Sequence, residues 1–207
     1  MTKTPLLIYL HGLNSSSRSI KAQQTIRHIH RNKLDMDLWV PDLPSHPEQA
    51  RRLMSDRIRR EYGMRPVYII GSSLGGYYGT WLMQRLIYLH PDIVTRLVLI
   101  NPAVRPYELF RDYLGRQTNV YTGDEWELTE DHVNTLQSLE TLWLDNVQDI
   151  LLMVQEGDET LDYHKAVEKY ANAQMIIQKG GSHSFEHYDD MLPTVFDFLA
   201  GKPILKG

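Results

Sequence analysis

Short apolar runs punctuate the chain at fairly even spacing. PLLIYL (5–10), DLWV (37–40), VYII (67–70), RLVLI (96–100), DILLMV (149–154) and AQMIIQ (173–178) are brief, partly β-branched and bounded by turn residues. That is the pattern of buried strands. Their near-continuous apolarity suits parallel strands covered on both faces. Amphipathic stretches separate them. Ala22, Ile26 and Ile29 share one helical face within 19–31; Ala50, Leu53, Met54 and Ile58 do so within 46–62; Tyr78, Leu82, Leu86 and Leu89 do so within 75–90. Further helices are expected over 161–172 and 187–200. The alternation predicts an α/β chain: three layers, with a parallel central sheet of about six strands and right-handed crossovers.

The interval 101–148 breaks this rhythm. It holds NPAVRPYELFRDYLG, a turn-rich stretch over 115–124, and a helix expected after Thr129, with Thr129 as N-cap and Glu130 and Asp131 in the first turn. We read it as a small cap inserted over the carboxyl ends of the strands; the alternative is a long crossover with two helices. The chain, 1–207, is then one domain carrying this insertion, since 207 residues leave little room for a second core.

Composition narrows the classes. With 42% hydrophobic and 23% charged residues, the chain reads as a soluble globular protein. A net charge of −4 gives no reason to expect nucleic acid or an anionic membrane as partner. The basic run RRLMSDRIRR (51–60) reads as a solvated helix face. The absence of cysteine excludes disulfides, a thiol nucleophile and thiolate metal sites. No run approaches the ~20 apolar residues of a membrane span, and PLLIYL is too short for a signal peptide, so the cytoplasm is the expected location.

Candidate chemistry starts at GSSLG (71–75), which lies between the strand VYII and the helix GYYGTWLMQRLIYL. G-x-S-x-G in a strand–turn–helix context marks a nucleophile elbow with Ser73 at its tip. A serine hydroxyl needs a base, and in this arrangement an acid and then a histidine follow on later loops. QEGDETLD offers Asp158, with Asp162 as rival; the alternative role for Asp162 is capping the next helix. KGGSHSF offers His183 after two glycines. His187 makes a four-residue pair with it, but the glutamate of a zinc helix motif is missing, so no metal site is expected. YLHGLNSSS (9–17) follows the first strand. Its Leu13 backbone N–H, with that of Leu74, is the expected oxyanion hole, while His11 props the loop.

The segments YLHGLNSS, VPDLPSHP, GSSLGGYYGTWL, NPAVRPYELFRDYLG, GDETLDY and GGSHSFE resemble those of the YqiA-type esterases, compact bacterial α/β-hydrolases. The resemblance runs from end to end of the chain. It implies an α/β-hydrolase fold reduced to its central strands, no cofactor, and hydrolysis of small carboxylic esters. Carried over by motif, it implies Ser73, Asp158 and His183 as the triad. Two positions depart from the usual pattern. Leu13 stands where an aromatic is common, and Thr160 where a β-branched aliphatic is common.

The expected reading is a serine esterase acting on short-chain acyl esters, with strand order 4-3-5-6-7-8 in the fold's usual naming. Tyr77, Tyr107 and Arg105 are the candidate substrate-binding residues, chosen because they lie close to the elbow and in the insertion. One alternative is an acyl-CoA thioesterase using the same triad, with Arg105, Arg111 and Arg116 as a landing site for phosphates. The other is a catalytically silent binding protein on the same fold. Oligomeric state is not legible.

Overall fold

The computed structural model describes residues 3–59, 65–202 and 204. Six parallel strands form its centre: β1 (Leu6–Leu10), β2 (Asp37–Trp39), β3 (Val67–Ser72), β4 (Thr95–Ile100), β7 (Ile150–Gln155) and β8 (Gln174–Gln178). Their order is β2-β1-β3-β4-β7-β8. In the usual naming of the α/β-hydrolase fold this is 4-3-5-6-7-8, the expected order.

The strands are apolar on both faces because both faces are covered. Leu6, Ile8 and Leu10 of β1 point into one core, with Ile69, Leu97 and Leu99. The alternate residues Leu7 and Tyr9 point into the other, with Ile70, Val98 and Ile100. The first core is closed by α2 (Pro47–Arg59), α3 (Leu74–Leu89) and α6 (Tyr163–Lys169). The second is closed by α1 (Ile20–Arg31) and α7 (Tyr188–Leu199). Each helix lies within its expected stretch, apart from a one-residue earlier start for α3. The last residues expected of α2, 60–62, lie outside the described residues. On α2, Glu48 binds Arg51 at 2.6 Å and Arg52 at 2.8 Å, the pairing of a solvated face.

The interval 101–148 is richer than its sequence suggests. α4 (Pro106–Phe110) is followed by a 3₁₀ turn, and α5 (Glu130–Ser138) starts at the expected N-cap, Thr129. Between them lies an antiparallel hairpin of β5 (Gly115–Thr118) and β6 (Glu125–Leu128); the stretch read as turns, 115–124, holds its first strand and its turn. GRQT carries no apolar residue, so no hydrophobic period announces β5, although Trp126 and Leu128 alternate with glutamates in β6.

Candidate active site

Ser73 follows the last residue of β3 and precedes α3. Its backbone is left-handed, φ 55° and ψ −122°, a conformation that costs a non-glycine residue free energy and persists only where its surroundings hold it. Three bonds hold it: Ser73 N–H donates to the Ile100 carbonyl at 3.0 Å, and its own carbonyl accepts from Ala103 N–H at 3.0 Å and from Gly76 N–H at 2.9 Å. The glycines beside it answer to steric demand. A Cβ on Gly71 would stand 2.4 Å from the Gly75 oxygen, and one on Gly75 would stand 2.0 Å from the Leu10 oxygen. The first constraint comes from the turn itself, the second from the packing of α3 against the end of β1.

His183 lies on the loop after β8, past Gly180 and Gly181, both at positive φ. Its Nε2 is 3.0 Å from Ser73 Oγ, and its Nδ1 is 2.9 Å from Asp158 Oδ2. A carboxylate only accepts, so Nδ1 carries the proton and Nε2 accepts from the serine hydroxyl. Asp158 lies on the loop after β7, its side chain 2% exposed. Its Oδ1 also accepts the Thr160 and Leu161 N–H groups at 2.9 and 2.8 Å. Asp162 is elsewhere: it caps α6 by accepting from His164 N–H at 3.0 Å. His187 makes no contact with the serine and lies exposed, 3.9 Å from Asp190.

Two side chains that the sequence reading did not single out hold the histidine loop. Asn101 Nδ2 donates to the carbonyls of Ser182 and His183 at 2.9 and 3.2 Å, and its Oδ1 accepts from Gln155 N–H. Gln155 is buried. Its Oε1 accepts from Ser182 and Glu186 N–H, and its Nε2 donates to the Glu186 carbonyl. The signal for both was a polar residue at the very end of a buried apolar strand, where a partner is obligatory.

The loop after β1 closes the other side. Gly12 abuts Ser73, with its Cβ position 3.1 Å from that of the serine. His11 is buried; its Nδ1–H donates to the Gly12 carbonyl at 2.9 Å and its Nε2 accepts from Leu43 N–H at 2.9 Å. Burial pushes its pKa down, as suits a neutral imidazole used as a strut. Leu13 and Leu74 line one small hollow beside the serine. Leu74 opens α3, so its N–H is among those a helix leaves without an internal partner.

Ser73 and His183 open onto a cleft of about 460 Å³. Its apolar walls are Tyr9, Ile20, Val120, Tyr121, Phe185 and Tyr188. The residues expected to bind substrate are not among them. Tyr77 is 3% exposed and its hydroxyl donates to the Leu136 carbonyl at 2.6 Å, so it faces α5. Tyr107 is buried beside Glu140. Arg105 pairs with Glu108 at 3.4 Å and Glu140 at 3.3 Å and lines different hollows. The other two candidate arginines are also engaged: Arg111 with Gln137 at 3.2 Å and Arg116 with Glu125. Among the described residues, no helix is long and apolar enough to cross a membrane, and no group of three His, Cys, Asp or Glu is placed to hold a metal ion.

The model of a family described as "Uncharacterised protein family (UPF0227)" matches residues 6–200. Solved structures share the fold. Alpha/beta hydrolase domain-containing protein 10 from mouse is similar at 19% identity and TM-score 0.70, covering 97% of this chain and 92% of that one. Est1E from Butyrivibrio proteoclasticus is similar at 18% identity and TM-score 0.70, covering 97% and 89%. A monoacylglycerol lipase from Paleococcus ferrophilus is similar at 15% identity and TM-score 0.69, covering 97% and 96%. At such identities the likeness speaks for the α/β-hydrolase fold.

Proposed function

Because the chain belongs to the UPF0227 family, in which the YqiA-type esterases fall, we propose that it is a serine esterase acting on small carboxylic esters. The observation that carries the reading is the unbroken line from Ser73 Oγ through His183 to the buried Asp158, at 3.0 and 2.9 Å. In this reading Ser73 attacks the acyl carbonyl as His183 Nε2 takes its proton. Asp158 keeps the tautomer and steadies the imidazolium. The oxyanion is met by the Leu13 and Leu74 N–H groups, each worth ~3 kcal/mol of barrier where such donors are preset and dry. His183 returns the proton to the departing alcohol, and water resolves the acyl-enzyme.

In this reading the segment 101–148 acts as a cap, which the lining of the serine cleft by Val120 and Tyr121 of its hairpin turn supports. The monoacylglycerol lipase among the similar structures agrees with ester chemistry. The engaged state of Arg105, Arg111 and Arg116 favours an ester over an acyl-CoA, because a phosphate landing there would have to break those contacts.

The test is kcat/KM for 4-nitrophenyl esters from acetyl to palmitoyl. Each methylene that fits the aromatic-walled cleft gains up to ~0.8 kcal/mol, and the gain ends where the wall is met. The expected profile rises and then falls within the short esters. A steady climb to palmitoyl, or no hydrolysis at all, contradicts the proposal.

A further inference from the structure

In the cleft onto which Ser73 and His183 open stands a cation that ester cleavage does not use. Lys21 belongs to the first turn of α1 and lines the Ser73 cleft. Lys21 is half-buried, and its ammonium donates to the Ser184 carbonyl at 2.7 Å. Among the described residues it makes no ion pair. The negative charge it senses is Asp158, whose oxygens are already taken by His183 and two backbone amides. A partly desolvated ammonium without an anion is held at a cost, and that desolvation pushes its pKa down to about 8. Two of its three donors remain for a ligand.

A second observation is independent of the lysine. Tyr9 is 1% exposed, yet its hydroxyl has no hydrogen-bond partner. It lines the same cleft, close enough to Tyr121 and Tyr188 on the cleft wall for their hydroxyls to affect it. Ser19 and Ile20 bring the start of α1 to this corner. Ser19 makes no side-chain cap, so the first-turn amides and the positive helix end are left available. Gln24 Oε1, also buried and unpartnered, lines the cleft too and suits a hydroxyl beside the anion.

The side of the cleft follows from the chemistry. His183 must hand its proton to the departing alcohol, so the alcohol portion of an ester lies on the His183 side. Lys21 is bonded to Ser184, the next residue. We propose that this corner binds an anionic group, a carboxylate or phosphate, on the alcohol portion of the ester, with Lys21 and the Tyr9 hydroxyl as its donors. The proposal rests on the esterase reading and names its substrate class.

The probes are 4-carboxyphenyl acetate, its 4-phosphono counterpart and the neutral 4-(methoxycarbonyl)phenyl acetate. Their intrinsic reactivities differ, so the readout is kcat/KM for an anionic ester over that for the neutral one, compared between variants. Lys21→Met and Tyr9→Phe should each lower this ratio about tenfold, the value of one hydrogen bond to a charged group. Lys21→Arg should retain it. In wild type the ratio should fall as pH rises through about 8 and Lys21 loses its proton. A Lys21-dependent ratio with the carboxylate identifies a carboxylate site, one confined to the phosphonate identifies a phosphate-type site, and either supports the proposal. An unchanged ratio in Lys21→Met, whether both esters lose alike or neither does, overturns it. If wild type cleaves none of these esters, the esterase reading has failed, and calorimetry with 4-hydroxybenzoate reads the site alone. Binding weakened about tenfold in Lys21→Met then supports the anion site, and no binding to wild type overturns it.

Discussion

Asp158 and Asp162 are the same residue type four positions apart, and their surroundings give them different work. Asp158 is enclosed, with both oxygens within 3.0 Å of His183 Nδ1 and one also held by two amides. Asp162 sits at the start of α6, where its oxygen meets His164 N–H, and its pKa is lowered by the bonds from His164. If Asp158 orients the base, Asp158→Asn should cut kcat by about 10⁴, the loss expected when the imidazole is left in the wrong tautomer. Asp162→Asn should leave kcat close to wild type. Steady-state kinetics on both variants decide it; the reverse pattern would move the acid to Asp162. At this scale the sequence was informative where chain order and glycine spacing constrain a position, as for Ser73 and His183. It was uninformative for Tyr77. That residue lies one helical turn beyond the serine, but adjacency in sequence does not say which way a side chain leaves the helix, and Tyr77 faces α5. Asn101 and Gln155 show the converse. A polar residue closing an apolar strand signals that each needs a partner, but that the partner is the histidine loop follows only from the fold.

The hairpin within 101–148 is tied to the loop that carries Leu13. Asn14, at φ 51°, is the knot. Its carbonyl accepts from Val120 N–H at 3.2 Å, its Oδ1 accepts from the Trp126 indole at 2.8 Å, and its Nδ2 donates to Gln117 at 3.3 Å. Asn119 adds a bond to the Ser15 carbonyl at 2.8 Å. Asn14→Ala removes two side-chain bonds and places a residue poorly suited to left-handed backbone. It should lower stability by about 1–3 kcal/mol in urea unfolding. An unchanged midpoint would mean that hairpin and loop are not coupled in this way. The hairpin was hidden in the sequence because its first strand, GRQT, is polar and its second, EWEL, is only four residues long. The six central strands were legible because burial on both faces demands unbroken apolar runs, and they are the elements that carry the fold.

At the scale of the whole molecule, parallel strands put every following loop at one edge of the sheet, where open α/β sheets bind their ligands. The loops after β1, β3, β7 and β8 therefore meet, although they carry Gly12, Ser73, Asp158 and His183 from positions spread along most of the chain. The alternation predicts parallel strands with right-handed crossovers, and the strand order follows from the resemblance to the α/β-hydrolases. The cleft was not legible, since its walls come from α1, the hairpin turn and the histidine loop, which only the folded topology assembles. The central claim is that this meeting point is a working nucleophilic site, and covalent labelling tests it most directly. Wild type treated with a fluorophosphonate should gain one adduct, located by mass spectrometry on Ser73. Ser73→Ala should gain none, while Ser72→Ala, changed at the buried neighbour, should still react. Labelling that persists in Ser73→Ala, or a wild type that stays unlabelled, would contradict the account.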